Sequence, residues 1–183
     1  MLYSILAFLL DVAAGIVGGA CLLRLYMQFR RVPFGNPLGR LVFALTDWLV
    51  PPLRRWVPSV GSLDLASLLA AYLVKLLQFA LLWWVAGRMA GLWMLPMLAV
   101  FGLGQLVLTV ASGLIIVQAI LSWVQDRGPV GSVMDRLTEP LLGPIRRRLP
   151  QPGGIDLSPI VALVLLQVAA WALGVLQHTA FAR

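Results

Sequence analysis

The stretch PLGRLVFALTDWLVPPLRRWVPSVGSLDL at residues 37–65 returns as PVGSVMDRLTEPLLGPIRRRLPQPGGIDL at residues 129–157. The two copies are 92 residues apart (129 minus 37) and align without a gap, with identical residues at 12 of 29 positions. Chance does not produce so many identities in so short a stretch, so they indicate one unit used twice. The chain is therefore predicted to contain two tandem repeats, at residues 1–92 and 93–183.

The composition indicates a membrane protein. Hydrophobic residues make up 61% of the chain and charged residues only 11%, too few for the polar surface of a soluble globule. A helix needs about 20 apolar residues to cross a bilayer, and four such runs lie near residues 2–23, 64–86, 97–121 and 156–178. We expect an all-α membrane protein with four transmembrane helices, in which each repeat consists of a helix, an amphipathic helix and a second helix.

The arginines predict how the chain is oriented. The loop at residues 24–63 contains six arginines and the loop at residues 122–155 contains five, whereas the opposite side has Arg88 alone and the C-terminus Arg183. Basic residues in short loops stay on the cytoplasmic side. Both loops are therefore predicted to be cytoplasmic and both termini periplasmic, with the two repeats in parallel orientation.

Each loop begins with a short amphipathic pattern. Apolar residues at helical spacing are Leu38, Leu41, Val42, Leu45 and Leu49 in the first copy and Val130, Val133, Met134, Leu137 and Leu141 in the second. Such a stretch is too short and too polar to span, and it suits a helix that lies in the membrane interface. Because proline lacks an amide donor, Pro51-Pro52 and Pro140 with Gly143-Pro144 are expected to end these helices.

An aspartate stands at the head of the second span of each repeat. Asp64 and Asp156 can accept the free amides of the first helical turn and also meet the positive end of the helix dipole. They can equally pair with Arg54 and Arg55, or with Arg146 and Arg147, to hold the amphipathic helix against the span. The two roles are compatible.

The surplus of basic residues gives a net charge of +7. These residues lie beside apolar helices and without a nucleic-acid-binding signature, so nucleic acid is not the expected partner. Anionic lipid headgroups are the nearer partner for Arg54-Arg55 and Arg146–Arg148. The alternative, in which these arginines only set the topology, stays open.

Two ionisable residues lie near the middle of predicted spans, where such groups are costly. Asp11 and Lys75 fall at similar depth, so they can form a structural ion pair. The alternative is that they belong to a proton or ion pathway. The equivalent positions in the second copy are Leu103 and Gln167. A hydrogen bond between Gln105 and Gln167 is a further expectation there.

Cys21 and His178 are the only cysteine and histidine in the chain. With one of each, and with no nucleophilic triad or glycine-rich phosphate loop, the sequence predicts neither a cofactor, a metal nor an enzymatic activity.

Residues 138–147 read TEPLLGPIRR and are followed by Pro150 and by GGIDLSP at residues 153–159. This run resembles the YggT/YlmG family of small bacterial membrane proteins, and the first copy departs from it at Asp47-Trp48 and Ala66-Ser67. The motif and interface residues of the two copies are Thr46, Pro52, Arg54, Arg55 and Asp64, and Thr138, Pro140, Pro144, Arg146, Arg147 and Asp156.

The resemblance implies a multi-pass protein of the bacterial inner membrane with no established enzymatic activity. Bacterial members are associated with osmotic or ionic stress tolerance and with cell division or membrane organisation, and plastid relatives with assembly of a cytochrome complex. Two hypotheses follow. The first is a scaffold or assembly factor that binds anionic lipids and a membrane-protein partner or a second copy of itself. The alternative is a small oligomeric protein of ion transport or osmotic tolerance.

Overall fold

The computed structural model describes residues 1–59, 61, 63–86, 91–124, 128–148 and 156–181. These residues form seven helices: α1 Leu2–Phe29, α2 Pro37–Thr46, α3 Val50–Arg54, α4 Leu65–Val85, α5 Met94–Val124, α6 Pro129–Arg146 and α7 Ser158–Phe181. Four of them, α1, α4, α5 and α7, are long and apolar enough to cross a membrane. Pro150, Gly153, Arg88, Arg127 and Arg183 lie outside the described residues.

The first helix is longer than the sequence predicts. It continues past residue 23 to Phe29 and has 28 residues, or about 42 Å, against a hydrocarbon core of about 30 Å. It ends where Arg31 takes a left-handed backbone conformation with φ of 53°. The Val32 amide then bonds back to the Met27 carbonyl at 2.9 Å and the Arg31 amide to the Gln28 carbonyl at 3.0 Å, the hydrogen-bond pattern of a Schellman motif.

The first amphipathic segment is divided into two helices. The Asn36 side chain accepts a hydrogen bond from the Gly39 amide at 2.9 Å and caps α2, with Pro37 in its first turn. A side chain at Gly39 would collide with the Phe34 carbonyl. The helix ends at Thr46, ahead of the prolines, and Pro51 and Pro52 instead open α3, where a missing amide donor has no cost.

The second amphipathic segment contradicts the expectation that its prolines end the helix. α6 continues through Pro140 and Pro144 to Arg146. The two prolines are four residues apart and both are exposed, so the carbonyls that lose an amide donor lie on one outward face, where water or headgroups can bond to them. Leu137 and Leu142 of the same helix are both fully buried, and their packing against the rest of the protein holds the helix together.

The helices pack in corresponding pairs in the two copies. α1 contacts α4 and α5 contacts α7, while α2 and α6 each lie against the span that precedes them and α3 and α6 against the span that follows. One apolar cluster contains Val42 of α2 together with Val133, Met134 and Leu137 of α6. The two amphipathic helices therefore lie at the same end of the spans.

Replacing Leu137 with alanine should lower the free energy of unfolding by about 2–5 kcal/mol, because it leaves a cavity in a fully packed cluster. Leu41→Ala in α2 is the matched control, since Leu41 is 57% exposed and its truncation should cost less than about 0.5 kcal/mol. Thermal unfolding in detergent measures both. Equal losses for the two variants would contradict the shared core.

Candidate functional site

In the first copy, one carboxylate joins the amphipathic segment to the returning span. The fully buried Asp64 accepts a hydrogen bond from Arg54 at the end of α3. The same carboxylate accepts hydrogen bonds from the Ser67 hydroxyl at 2.7 Å and from the Ser67 amide at 3.4 Å. The bond from the amide caps α4. Capping and ion pairing are therefore performed by one side chain.

The second copy repeats this contact. Nε of Arg146, the last residue of α6, donates to Oδ2 of Asp156 at 2.7 Å, while the Ser158 amide donates to Oδ1 at 2.9 Å at the head of α7. Nη1 of Arg146 also lies 3.7 Å from Oε2 of Glu139. The Asp156 side chain is 30% exposed, whereas that of Asp64 is fully buried, so the second contact is the more open one.

The environment of Asp156 favours its charged form. Burial raises the pKa of this carboxyl, but hydrogen bonds from Ser158, together with the hydrogen bond and positive charge of Arg146, outweigh burial and lower the pKa below its ordinary value. Asp156 is therefore ionised at neutral pH and can maintain the contact with Arg146.

The C-terminal end of α2 is held by an arginine that the sequence pattern had indicated only as one of the residues that set the topology. Arg24 is buried in α1, and its Nη1 donates to Thr46 Oγ1 and to Asp47 Oδ1, each at 2.7 Å. Its guanidinium carbon lies 4.7 Å from the centre of the Phe43 ring, a cation–π distance. Arg24 thus ties α2 to α1.

A different residue ties α6 to α5. The position equivalent to Arg24 is Ile116, and Gln118 makes the link instead, donating from Nε2 to Asp135 Oδ1 at 2.6 Å. Thr138 is buried, and its hydroxyl donates to the Met134 carbonyl at 2.8 Å within α6, as the Thr46 hydroxyl does to Val42 at 2.7 Å in α2. Because the linking residues differ between the copies, the repeat could not reveal them.

A hydrogen bond also joins the two repeats directly. The Tyr26 hydroxyl in α1 donates to the Leu137 carbonyl in α6 at 2.7 Å. No sequence pattern singled out this contact, because it joins positions 111 residues apart that the 92-residue offset does not relate.

Arginines also cover the surface around these contacts. Arg55 follows Arg54, and Arg147 and Arg148 follow Arg146; all three side chains are exposed. Within the described ranges, none of them lies within 4.0 Å of a carboxylate. Trp56, 86% exposed, stands next to Arg55, and tryptophan favours the membrane–water interface. This surface therefore presents free positive charge beside an aromatic side chain.

Asp11 and Lys75 are brought together inside the spans. Lys75 Nζ lies 3.3 Å from Asp11 Oδ1. Gln78, which the sequence analysis missed, accepts from Lys75 Nζ at 2.9 Å and donates to Asp11 Oδ1 at 3.0 Å. Its spacing of three residues from Lys75 was the available signal, because such residues share a helix face. Lys75 is buried, but the Asp11 side chain is 70% exposed.

The expected hydrogen bond between Gln105 and Gln167 is wrong. Gln105 Nε2 donates to the Ala170 carbonyl at 2.9 Å, so it satisfies a backbone group of α7. Gln167 lies exposed on α7. The second copy therefore has a polar contact between its two spans, but with a different acceptor.

Metal-ligand clusters of three or more His, Cys, Asp or Glu residues are absent from the part of the chain that the structure describes. Cys21 is buried in α1 as a free thiol.

Four membrane-length helices, with two amphipathic segments fastened to them by arginine–aspartate contacts, define a multi-span α-helical membrane protein. The chain belongs to the CCB3/YggT family, whose model matches residues 3–85 and again residues 97–177. The internal repeat thus recurs as two matches to one family model.

The family has bacterial members of similar length. The protein YggT of Escherichia coli (strain K12) is 38% identical over 165 residues, which cover 89% of this chain and 86% of the relative. A Vibrio alginolyticus protein encoded in the proC 3' region is 39% identical over 159 residues, which cover 84% of each chain. A Pseudomonas aeruginosa protein is 37% identical over 151 residues, which cover 80% of this chain and 77% of the relative. No solved structure matches the chain.

The lowered pKa of Asp156 gives its contact a defined pH dependence. A carboxyl with a lower pKa in the folded state stabilises the fold at neutral pH and loses that effect as the pH falls through the folded pKa. Asp156→Asn should therefore be less stable than the wild type at pH 7, and the difference should shrink once the pH drops below the ordinary carboxyl value of 3.8.

Thermal unfolding in detergent between pH 7 and pH 2 measures this difference. Glu139→Gln is the control, since Glu139 forms only a long, exposed contact with Arg146 and should change stability by less than about 0.5 kcal/mol at any pH. A stability difference for Asp156→Asn that does not vary with pH would contradict the assignment.

Proposed function

We propose that this protein is a non-enzymatic scaffold of the bacterial inner membrane, which organises or assembles membrane components through its amphipathic helices and Arg-rich turns. The observation that carries the proposal is the pair of contacts between Arg54 and Asp64 and between Arg146 and Asp156. They hold each amphipathic segment in a fixed position against the span that follows. A surface that is ordered before its partner arrives loses less entropy on binding.

The arrangement in the membrane is part of the proposal. The two repeats are parallel, both arginine-rich surfaces face the cytoplasm and both termini are periplasmic. The shared packing of α2 and α6 in one cluster supports this, because it places both motifs at one end of the spans. The concentration of arginines at that end supports the cytoplasmic side.

Anionic phospholipid headgroups are the first ligand of this surface. Arg55, Arg147 and Arg148 are exposed, whereas Arg54 and Arg146 are engaged by aspartates. A basic residue at the surface of an anionic leaflet contributes about 1 kcal/mol. One arginine of each run, Arg54 or Arg146, therefore holds the fold together, while the exposed arginines that follow it are available to bind headgroups.

The triple variant Arg55→Gln, Arg147→Gln, Arg148→Gln should lose most of the enrichment of phosphatidylglycerol around the protein, by roughly tenfold or more, because three surface charges are removed. Spin-labelled phosphatidylglycerol in mixed phosphatidylglycerol–phosphatidylcholine vesicles measures this. The corresponding triple lysine variant is the control and should keep the enrichment, since headgroup attraction needs the charge and not the guanidinium. Unchanged enrichment in the glutamine variant would remove the lipid role.

Ion transport or osmotic tolerance is the second candidate, favoured by one observation. Asp11 lies within a span, 3.3 Å from Lys75, and ionisable residues at that depth often mark ion or proton pathways. The equivalent positions in the second copy are Leu103 and Gln167, which makes a continuous path less well supported than a scaffold. An ion flux in proteoliposomes that Asp11→Leu abolishes would favour transport instead.

The orientation has its own test. In a Cys21→Ser background, single cysteines replace Ser59 and Arg148 next to the two motifs and Trp93 between α4 and α5; all three positions are exposed. A membrane-impermeant maleimide should label Trp93→Cys in intact spheroplasts and should label the other two only after the membrane is opened. Labelling of Ser59→Cys from outside would overturn the cytoplasmic placement.

A further inference from the structure

The outer face of α7 carries a polar side chain that has no hydrogen-bond partner in the part of the chain that the structure describes. α7 is the least covered of the four spans, with 6% of its most apolar window buried against 33% for α4. Gln167 lies near its middle and is exposed, and among the described residues its amide has no hydrogen-bond partner. An amide that faces hydrocarbon without a partner is costly.

A complementary group lies on α1. Both hydrogen bonds to the Asp11 carboxylate end on Oδ1, one from Lys75 and one from Gln78, which leaves Oδ2 without a donor in the described part of the chain. One turn further along α1, a Cβ atom added at Gly15 would meet no atom within 4 Å. The face around Asp11 therefore has both a free acceptor and room for another helix.

The two groups lie at the same depth if the repeats are parallel. Lys75 follows the capping residue Asp64 by 11 positions (75 minus 64), and Gln167 follows Asp156 by 11 positions (167 minus 156). At 1.5 Å per residue, each lies about 16 Å from its cap. Because Lys75 contacts Asp11, the Gln167 amide lies at the depth of the Asp11 carboxylate.

We propose that a second copy of this chain docks in the membrane by placing α7 against the Asp11 face of α1, where Gln167 Nε2 donates to Asp11 Oδ2. Each copy carries both groups, so it can exchange contacts with one neighbour or form a chain of copies that closes into a ring. A hydrogen bond between membrane helices strengthens association by about threefold to twentyfold.

Self-association through this face does not depend on headgroup binding, but it does rest on the parallel arrangement proposed above. The maleimide labelling tests that arrangement separately. A failure of association with correct labelling would therefore count against the docking face alone.

Disulfide trapping in native membranes tests the docking. In the Cys21→Ser background, differently tagged copies that carry Gly15→Cys and Val164→Cys are expressed together and oxidised. Val164 is 57% exposed and lies three positions before Gln167, about 60° around the helix and on the cytoplasmic side of it, at the depth of Gly15. We expect a disulfide between the two tagged copies, and a yield threefold to twentyfold lower when Gln167→Leu is added to the second copy.

Two controls make the result specific. Gln105→Leu also removes an amide from the middle of a span, but that amide bonds within the chain to Ala170, so the yield should stay within twofold. Leu165→Cys replaces Val164→Cys on a part of α7 that is also 57% exposed but about 160° from Gln167, and it should trap little.

The proposal is overturned if no mixed disulfide forms, if Gln167→Leu leaves the yield unchanged, or if Leu165→Cys traps as well as Val164→Cys. Among the described residues, Gln167 has no hydrogen-bond partner that its replacement would lose, so the variant is expected to fold and its monomer level serves as the internal reference.

Discussion

The chain turns back into the bilayer after each of its two amphipathic segments, and the start of the returning span is where its backbone is least satisfied. The first turn of any helix has free amides and the positive end of the dipole, which hydrocarbon cannot solvate. Asp64 and Asp156 meet this requirement at the heads of α4 and α7. The same carboxylates accept hydrogen bonds from Arg54 and Arg146. The residues that cap the free amides of the span therefore also hold the preceding amphipathic helix in place. In each copy, one carboxylate therefore both caps the returning span and fastens the amphipathic segment to it.

The two copies are alike at the capped start of the span that follows the amphipathic segment, and they differ elsewhere. The arginine–aspartate contact is present in both, because the aspartate that caps the span after each amphipathic segment also accepts a hydrogen bond from an arginine of that segment. The spans α1 and α5, which precede the amphipathic segments, need only a polar link to them, and this link is Arg24 in one copy and Gln118 in the other. The amphipathic segments also differ, because α2 and α3 are separate helices while α6 is continuous. A duplicated sequence thus retains the backbone requirement and changes the side-chain packing around it.

The four spans and the amphipathic segments could be predicted, since they depend on the length and period of apolar runs, which are local properties. The continuation of α6 through Pro140 and Pro144 could not, because it depends on which face of the helix is buried. The extension of α1 to Phe29 and the acceptor of Gln105 were also missed, because both involve contacts between distant parts of the chain, such as those of Arg24 with Thr46 and Asp47. The sites could be predicted where residues recur at the 92-residue offset, as Arg54 and Asp64 do. Contacts without a counterpart, such as those of Arg24, Gln78 and Tyr26, had no such signal.

The polar residues inside the spans also need hydrogen-bond or charge partners, as the free amides at the start of a span do. A charged or amide side chain in hydrocarbon needs a partner, whichever molecule supplies it. In the first copy, Lys75 finds Asp11 and Gln78 within the chain. In the second copy, Leu103 stands where the first has Asp11, and its apolar side chain needs no partner. Gln167, which stands where the first copy has Lys75, is polar and faces outward. α7 is also the least covered span, and the Gln167 amide on it has no hydrogen-bond partner among the described residues. Another membrane helix that packs there would cover the face and supply a partner for the amide.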